Sequence, residues 1–99
     1  AGVGGAVAET VGRLMQQLGR ERQVLAVTHL PQVAACADHH LVVSKNQTLQ
    51  GANSTVVPAK GTQRVAEVAR MMGGEKVSRA SIAHAQEMLG DGARENALE

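Results

Sequence analysis

The sequence predicts an α/β piece in which helices flank a short buried strand, and three observations carry that reading. Val24-Leu25-Ala26-Val27-Thr28 is an apolar run rich in β-branched residues that ends abruptly at His29 and Pro31, the pattern of a buried strand giving way to a helix. Residues 6–18 and 62–72 carry apolar side chains at helical spacing, Val7, Val11, Leu14, Met15 and Leu18 in the first and Val65, Val68, Ala69 and Met72 in the second, which puts each set on one face. Between them, Leu41-Val42-Val43 and Val56-Val57 lie on either side of a polar stretch, as in an antiparallel hairpin.

Taken in order, Gly2, Gly4 and Gly5 make the first residues too glycine-rich for a helix interior, so they read as a loop that opens the first helix. Such a loop can approach phosphate through backbone N–H groups. No Lys-Ser/Thr pair follows the glycines, however, so this is no P-loop. Gly19 is placed to stop the helix and lead into the strand. A short helix is expected over 31–37, with Val33, Ala34 and Ala37 inward, then strands over 40–44 and 54–58 around a polar turn, with Pro58 confining the second to an edge. Gly73-Gly74 ends the next helix. Ser78 is an N-cap for the last, with Val77 and Ile82 spaced as a hydrophobic staple. That helix should stop at Gly90 and leave a disordered polar tail over 90–99.

Composition limits what such a chain can do. Its 99 residues are 43% hydrophobic and contain no Phe, Tyr or Trp, so the core must be built from Val, Leu, Ala and Met, and part of the apolar surface should belong against another chain segment. The faces of Val7, Val11, Leu25 and Val27 are the ones expected to lie open. A net charge of +1 gives no strong pull toward nucleic acid or membranes. The single cysteine excludes an internal disulfide. No apolar run reaches membrane-spanning length, and the Ala-Gly-Val-Gly-Gly start suggests a piece of a longer or processed protein.

His29 is the residue that most invites a functional role. It sits just past the carboxyl end of the predicted strand, the edge where open α/β sheets bind ligands, and can contact a bound anion there; the plainer reading is a corner residue of a turn. His29, Cys36, His39 and His40 are all possible metal ligands. Zinc sites need four ligands converging, and the second cysteine pair of the usual spacings is missing. Cys36 therefore reads as a small core residue facing the sheet, His39 and His40 as strand-entry residues, and His84 as solvated.

Several blocks in series add a resemblance to these local readings. Gly2-Val3-Gly4-Gly5-Ala6-Val7-Ala8-Glu9, the run VLAVTHLPQVAA from Val24 to Ala35, Val43-Ser44-Lys45 and RVAEVARMMGG from Arg64 to Gly74 together resemble the C-terminal part of the ATPase head of the RecN family of bacterial DNA repair proteins, over about residues 2–89. The family is similar to ABC and SMC-like ATPases. The resemblance implies a C-terminal piece, 1–89, of a partial three-layer ABC-type, P-loop NTPase-like head: one or two strands of a mostly parallel sheet, a small hairpin, and two C-terminal helices packed on the sheet. It implies that His29 is the switch histidine that reaches the γ-phosphate and positions the attacking water. It also implies that Ala1, Gly2 and Val3 belong to the D-loop, which meets the opposing head.

The Walker A, signature and Walker B motifs of such heads are absent from this sequence, so the chain alone should neither hydrolyse ATP nor hold it tightly. In the complete protein the resemblance implies ATP and Mg²⁺ as cofactors, and as partners the rest of the head, a second head in an ATP-sandwiched homodimer, and DNA, in the bacterial cytoplasm at the nucleoid with no membrane. The function so implied is ATP-driven recombinational repair of double-strand breaks. The competing expectation is a self-standing, non-enzymatic α/β module that binds a protein through its apolar faces, with His29 merely structural.

Overall fold

A computed structural model describes residues 4–73 and 76–97, the last seven by their backbone alone. The elements in chain order are α1 (Gly5–Leu18), α2 (Pro31–Ala34), β1 (Leu41–Thr48), β2 (Gly51–Pro58), α3 (Thr62–Met71) and α4 (Arg79–Ala97). This is a small α/β structure whose one sheet, among the described residues, is the antiparallel pair β1–β2.

The run 24–28 is not a strand. It has no regular secondary structure between α1 and α2 and pairs with nothing among the described residues, and Leu25 and Val27 are 84% and 100% exposed. A strand is completed only by the hydrogen bonds of a neighbour. The parallel strands and three layers expected from the resemblance are therefore not present among these residues. Nor do α3 and α4 lie on a sheet: they pack on each other, burying Val68, Ala69 and Ala85 with Val65, Met72, Ile82 and Leu89 around them.

The hairpin is longer and its turn tighter than its sequence pattern suggests. Thr48 pairs with Gly51 and Leu41 with Pro58, leaving only Leu49 and Gln50 as the loop. Thr48 makes that turn possible: its hydroxyl donates to the Gly51 carbonyl (3.0 Å) and accepts from the Gln50 N–H (3.3 Å), so polar residues that read as loop can continue the ladder. Pro58 sits at the end of β2, where its missing N–H costs no ladder bond.

In α1 the apolar stripe faces outward, as expected for Val7 and Val11. Val7, Leu14 and Leu18 are more than half exposed and Val11 is 38% exposed, while Ala8, Gly12 and Gln16 are buried. The four-residue spacing of Ala8 and Gly12 makes a smooth strip on which α2 lies at close range. A Cβ on Gly12 would stand 2.9 Å from Cys36 Sγ and 3.1 Å from both Gln32 O and Val33 Cα. Cys36 is thus buried, but against α1 rather than a sheet, its thiol donating to Gln32 O at 3.3 Å.

The last helix begins as expected and ends later. Ser78 caps it, with Ser81 N–H donating to Ser78 Oγ (3.1 Å) and Ser78 N–H to Ser81 Oγ (2.8 Å), a reciprocal box with serine in place of the usual glutamate. The helix then runs through Gly90 to Ala97, where the sequence reading expects a stop and a disordered tail. Gly90 and Gly92 cost about 1 kcal/mol each in a helix, and the Ala93, Arg94 and Glu95 that follow are good helix formers.

Val68 is the one large side chain buried completely among the described residues. The accessible surface, 7519 Å² for 10.3 kDa, exceeds by about 2,200 Å² the roughly 5,300 Å² of a compact monomer of that mass. A radius of gyration of 14.5 Å, against about 13 Å for a compact 100-residue domain, says the same. The open faces of Val7, Val11, Leu25 and Val27 are part of that excess.

Candidate functional site

The corner that carries His29 is built by local chemistry on both sides of it. Thr28 Oγ1 accepts a hydrogen bond from the Leu30 N–H at 3.0 Å, bending the chain at His29. Pro31 follows at the first helical position and is buried, so the chain turns into α2 immediately after the bend. With Thr28 bonded to the backbone and Pro31 packed inward, the imidazole between them is left exposed. It can reach a ligand without displacing anything.

Short as it is, α2 is held on two sides. On one, Gln32, Val33 and Cys36 rest on the Gly12 strip of α1. On the other, the Arg64 guanidinium of α3 reaches the carbonyls at the carboxyl end, donating through Nη2 to Ala37 O at 2.5 Å and Ala34 O at 3.3 Å. Ala34 O already accepts from the Ala37 N–H at 3.2 Å, and the guanidinium adds a charged donor to it and to Ala37 O at the end of the helix where the dipole favours a cation. Burial lowers the Arg64 pKa, opposed by Asp38, and Arg64 Nε is buried with no hydrogen-bond partner.

His40 lies beside this clamp at the entrance to β1. Its carbonyl accepts from the Ala59 N–H at 2.9 Å, extending the hairpin ladder, while its Nδ1 is buried without a hydrogen-bond partner. Burial first, and Arg64 second, push its pKa below the ordinary 6.5, against an opposite pull from Glu67. Glu67 is itself held below the usual carboxylate value chiefly by hydrogen bonds from Arg70.

Beneath α2 a cleft of about 290 Å³ opens between α1, α2 and α4, lined by Glu9, Arg13, Gln32, Cys36, His84 and Glu87 among others. His29 is not part of its wall. Burial raises the Cys36 pKa, with Arg13 lowering and Glu9 raising it. Glu9 and Arg13 are paired one helical turn apart, at 2.8 Å.

The structure does not gather the sequence-predicted residues into one site. His29 is exposed at its corner, His39 is exposed beyond α2, and Cys36 is buried against α1; among the described residues no group of His, Cys, Asp and Glu could hold a metal ion. Ala1, Gly2 and Val3 lie outside the described residues. Arg64 is the residue the sequence reading missed. Its partners are 27 and 30 residues away along the chain, and no local signal announces them.

No family model matches the chain. Its relatives are more informative. It is 45% identical over 89 residues to the DNA repair protein RecN of Vibrio cholerae, 43% over 94 residues to that of Treponema pallidum, and 52% over 95 residues to that of Mycobacterium leprae. The chain is a C-terminal segment of the RecN family. The alignments cover 89%, 95% and 96% of the chain but 16% of each relative, so the chain spans about a sixth of the length of the RecN proteins it matches. All three relatives are bacterial and carry a DNA repair name. No described helix is long and apolar enough to cross a membrane.

Proposed function

We propose that this chain is part of the ATPase head of a RecN-like protein of recombinational DNA double-strand break repair, to which it contributes the switch histidine, His29, and D-loop residues Ala1, Gly2 and Val3. The observation that carries the proposal is the corner itself. In a segment that matches RecN over nine-tenths of its length, an apolar run with no strand partner among the described residues ends at an exposed histidine fixed by a Thr28 turn and a buried proline. Strands contributed by the rest of the head would pair with 24–28 and cover the outward face of α1. His29 would then stand at the edge of a completed sheet, where such sheets bind ligands.

The chemistry of the donors present fits one contact to a nucleotide rather than a whole site. His29 offers a single imidazole, and the chain has neither a P-loop lysine nor an acidic pair suited to Mg²⁺; those groups belong to the rest of the head. Bound ATP with Mg²⁺ supplies the phosphoanhydride to be cleaved and the cation that offsets its charge. His29 donates a hydrogen bond to a terminal phosphate oxygen and holds the attacking water in line. A second head in a homodimer would close over this corner, and DNA would be engaged by the complete protein, in the bacterial cytoplasm at the nucleoid.

The test uses the complete RecN-family protein that carries this segment. His29→Ala should lower kcat for ATP hydrolysis by about 10² to 10³, as loss of one such transition-state contact does, while changing KM much less. Gln32→Ala, at the second residue of α2, should cost far less. If the alanine variant folds and assembles like the parent and turns over ATP at the parent's rate, His29 is a structural corner. The open apolar faces would then favour a self-standing protein-binding module.

A further inference from the structure

We infer that Arg64 is a positioning residue for His29, acting through α2; this deepens the function proposed above and rests on it. The helix that follows His29 is only Pro31–Ala34. It is too short to hold itself, since isolated helices below about 12 residues are marginal in water. What fixes it is external. The Gly12 strip of α1 sets its height on one side, and the two Arg64 hydrogen bonds to Ala34 O and Ala37 O hold its carboxyl end from α3.

Two features of the clamp make it directional. A single Arg64 nitrogen, Nη2, holds both Ala34 O, on the last residue of α2, and Ala37 O, three residues beyond it, so displacement of this end stretches both bonds, whereas on the other side α2 meets the bare backbone of Gly12, which limits how closely it approaches α1. His29 is joined to α2 without slack: Leu30 is bonded back to Thr28, and Pro31 begins the helix. Movement at the carboxyl end of α2 is therefore passed to the histidine corner. A displacement of about 1 Å in a catalytic group can cost about a hundredfold in rate.

Arg64 also explains its own surroundings. Its Nε and the neighbouring His40 Nδ1 are both buried without partners, a cost the fold tolerates beside a guanidinium that joins α2 to α3. Asp38, at the far end of the turn after α2, contributes a nearby negative charge.

The experiment is a double-mutant cycle in the complete RecN-family protein, measuring kcat and KM for ATP hydrolysis. Arg64→Gln is expected to lower kcat about tenfold or more with KM within about twofold of the parent. Arg64→Lys, which keeps the charge and one donor direction, should recover part of the loss. In a His29→Ala background, Arg64→Gln should have no further effect, because there is no imidazole left to misplace. Equal fractional losses in both backgrounds, or an unchanged kcat with His29 present, would overturn the inference. If Arg64→Gln does not fold, the same cycle with Arg64→Lys decides on the same outcomes. A His29→Ala protein that works at the parent's rate removes the proposed function and this inference with it, whereas a slow His29→Ala with additive Arg64 effects removes only the inference.

Discussion

Replacing Gly12 by alanine tests whether α1 and α2 meet on the small-residue strip rather than on the valine and leucine face. The added Cβ would stand 2.9 Å from Cys36 Sγ and 3.1 Å from Gln32 O and Val33 Cα. Two of these three atoms are backbone, so α2 must move as a unit. Glycine to alanine inside a helix by itself gains about 1 kcal/mol; overpacking a close contact costs typically about 1–3 kcal/mol. Because the obstacle is mostly backbone, the upper part of that range applies, and the net loss should be about 1–2 kcal/mol. For a chain of this size that lowers Tm by roughly 4–16 °C. Gly90→Ala in α4 is the control. A Cβ there meets nothing within 4 Å, so it should raise stability by about 0.5–1 kcal/mol. Urea unfolding followed by far-UV circular dichroism reads both. If Gly12→Ala stabilises the chain as Gly90→Ala does, the close approach of α1 and α2 is wrong.

Three further outcomes follow from the same structure. Because burial holds the His40 pKa below 6.5, the unfolded chain binds that proton more tightly, so stability is complete above about pH 7 and falls as pH drops through the unfolded value near 6.5; His40→Gln should flatten a urea-midpoint profile over pH 7 to 5, and a profile unchanged by it would refute the assignment. Glu67, held low chiefly by Arg70, should lose its own contribution only below its ordinary 4.5, but because its charge pulls the His40 pKa upward, Glu67→Gln should deepen the loss of stability between pH 7 and 5, and a shallower profile would refute the coupling. Ser78→Ala removes a reciprocal cap and should cost about 1 kcal/mol in thermal unfolding, with no loss pointing to a cap that contributes nothing.

What was legible in the sequence was whatever local chemistry decides. The Ser78 cap, the end of α3 before Gly73, the apolar stripe of Val65, Val68 and Met72, and the existence of a hairpin were all readable because their partners lie within a few residues. The turn at Leu49–Gln50 was hidden because Asn, Gln and Ser in a strand look like loop until a two-residue connection pairs them. Long-range choices were less readable. Helical spacing shows that Val7, Val11, Leu14 and Leu18 share a face, yet not that α2 would settle on the opposite strip; Ala8 and Gly12, small residues four apart, were the available signal. The histidine corner was legible from Thr28, His29 and Pro31. Its support was not, since Arg64 reaches α2 from nearly thirty residues away.

The central claim is that 24–28 becomes a strand, and places His29, only with the rest of the RecN protein around it. Hydrogen–deuterium exchange on the amides of Val24 to Thr28, in the chain alone and in the complete protein, measures this directly. Unprotected amides in the chain and strong protection in the complete protein are the predicted result; amides that exchange equally fast in both would contradict it.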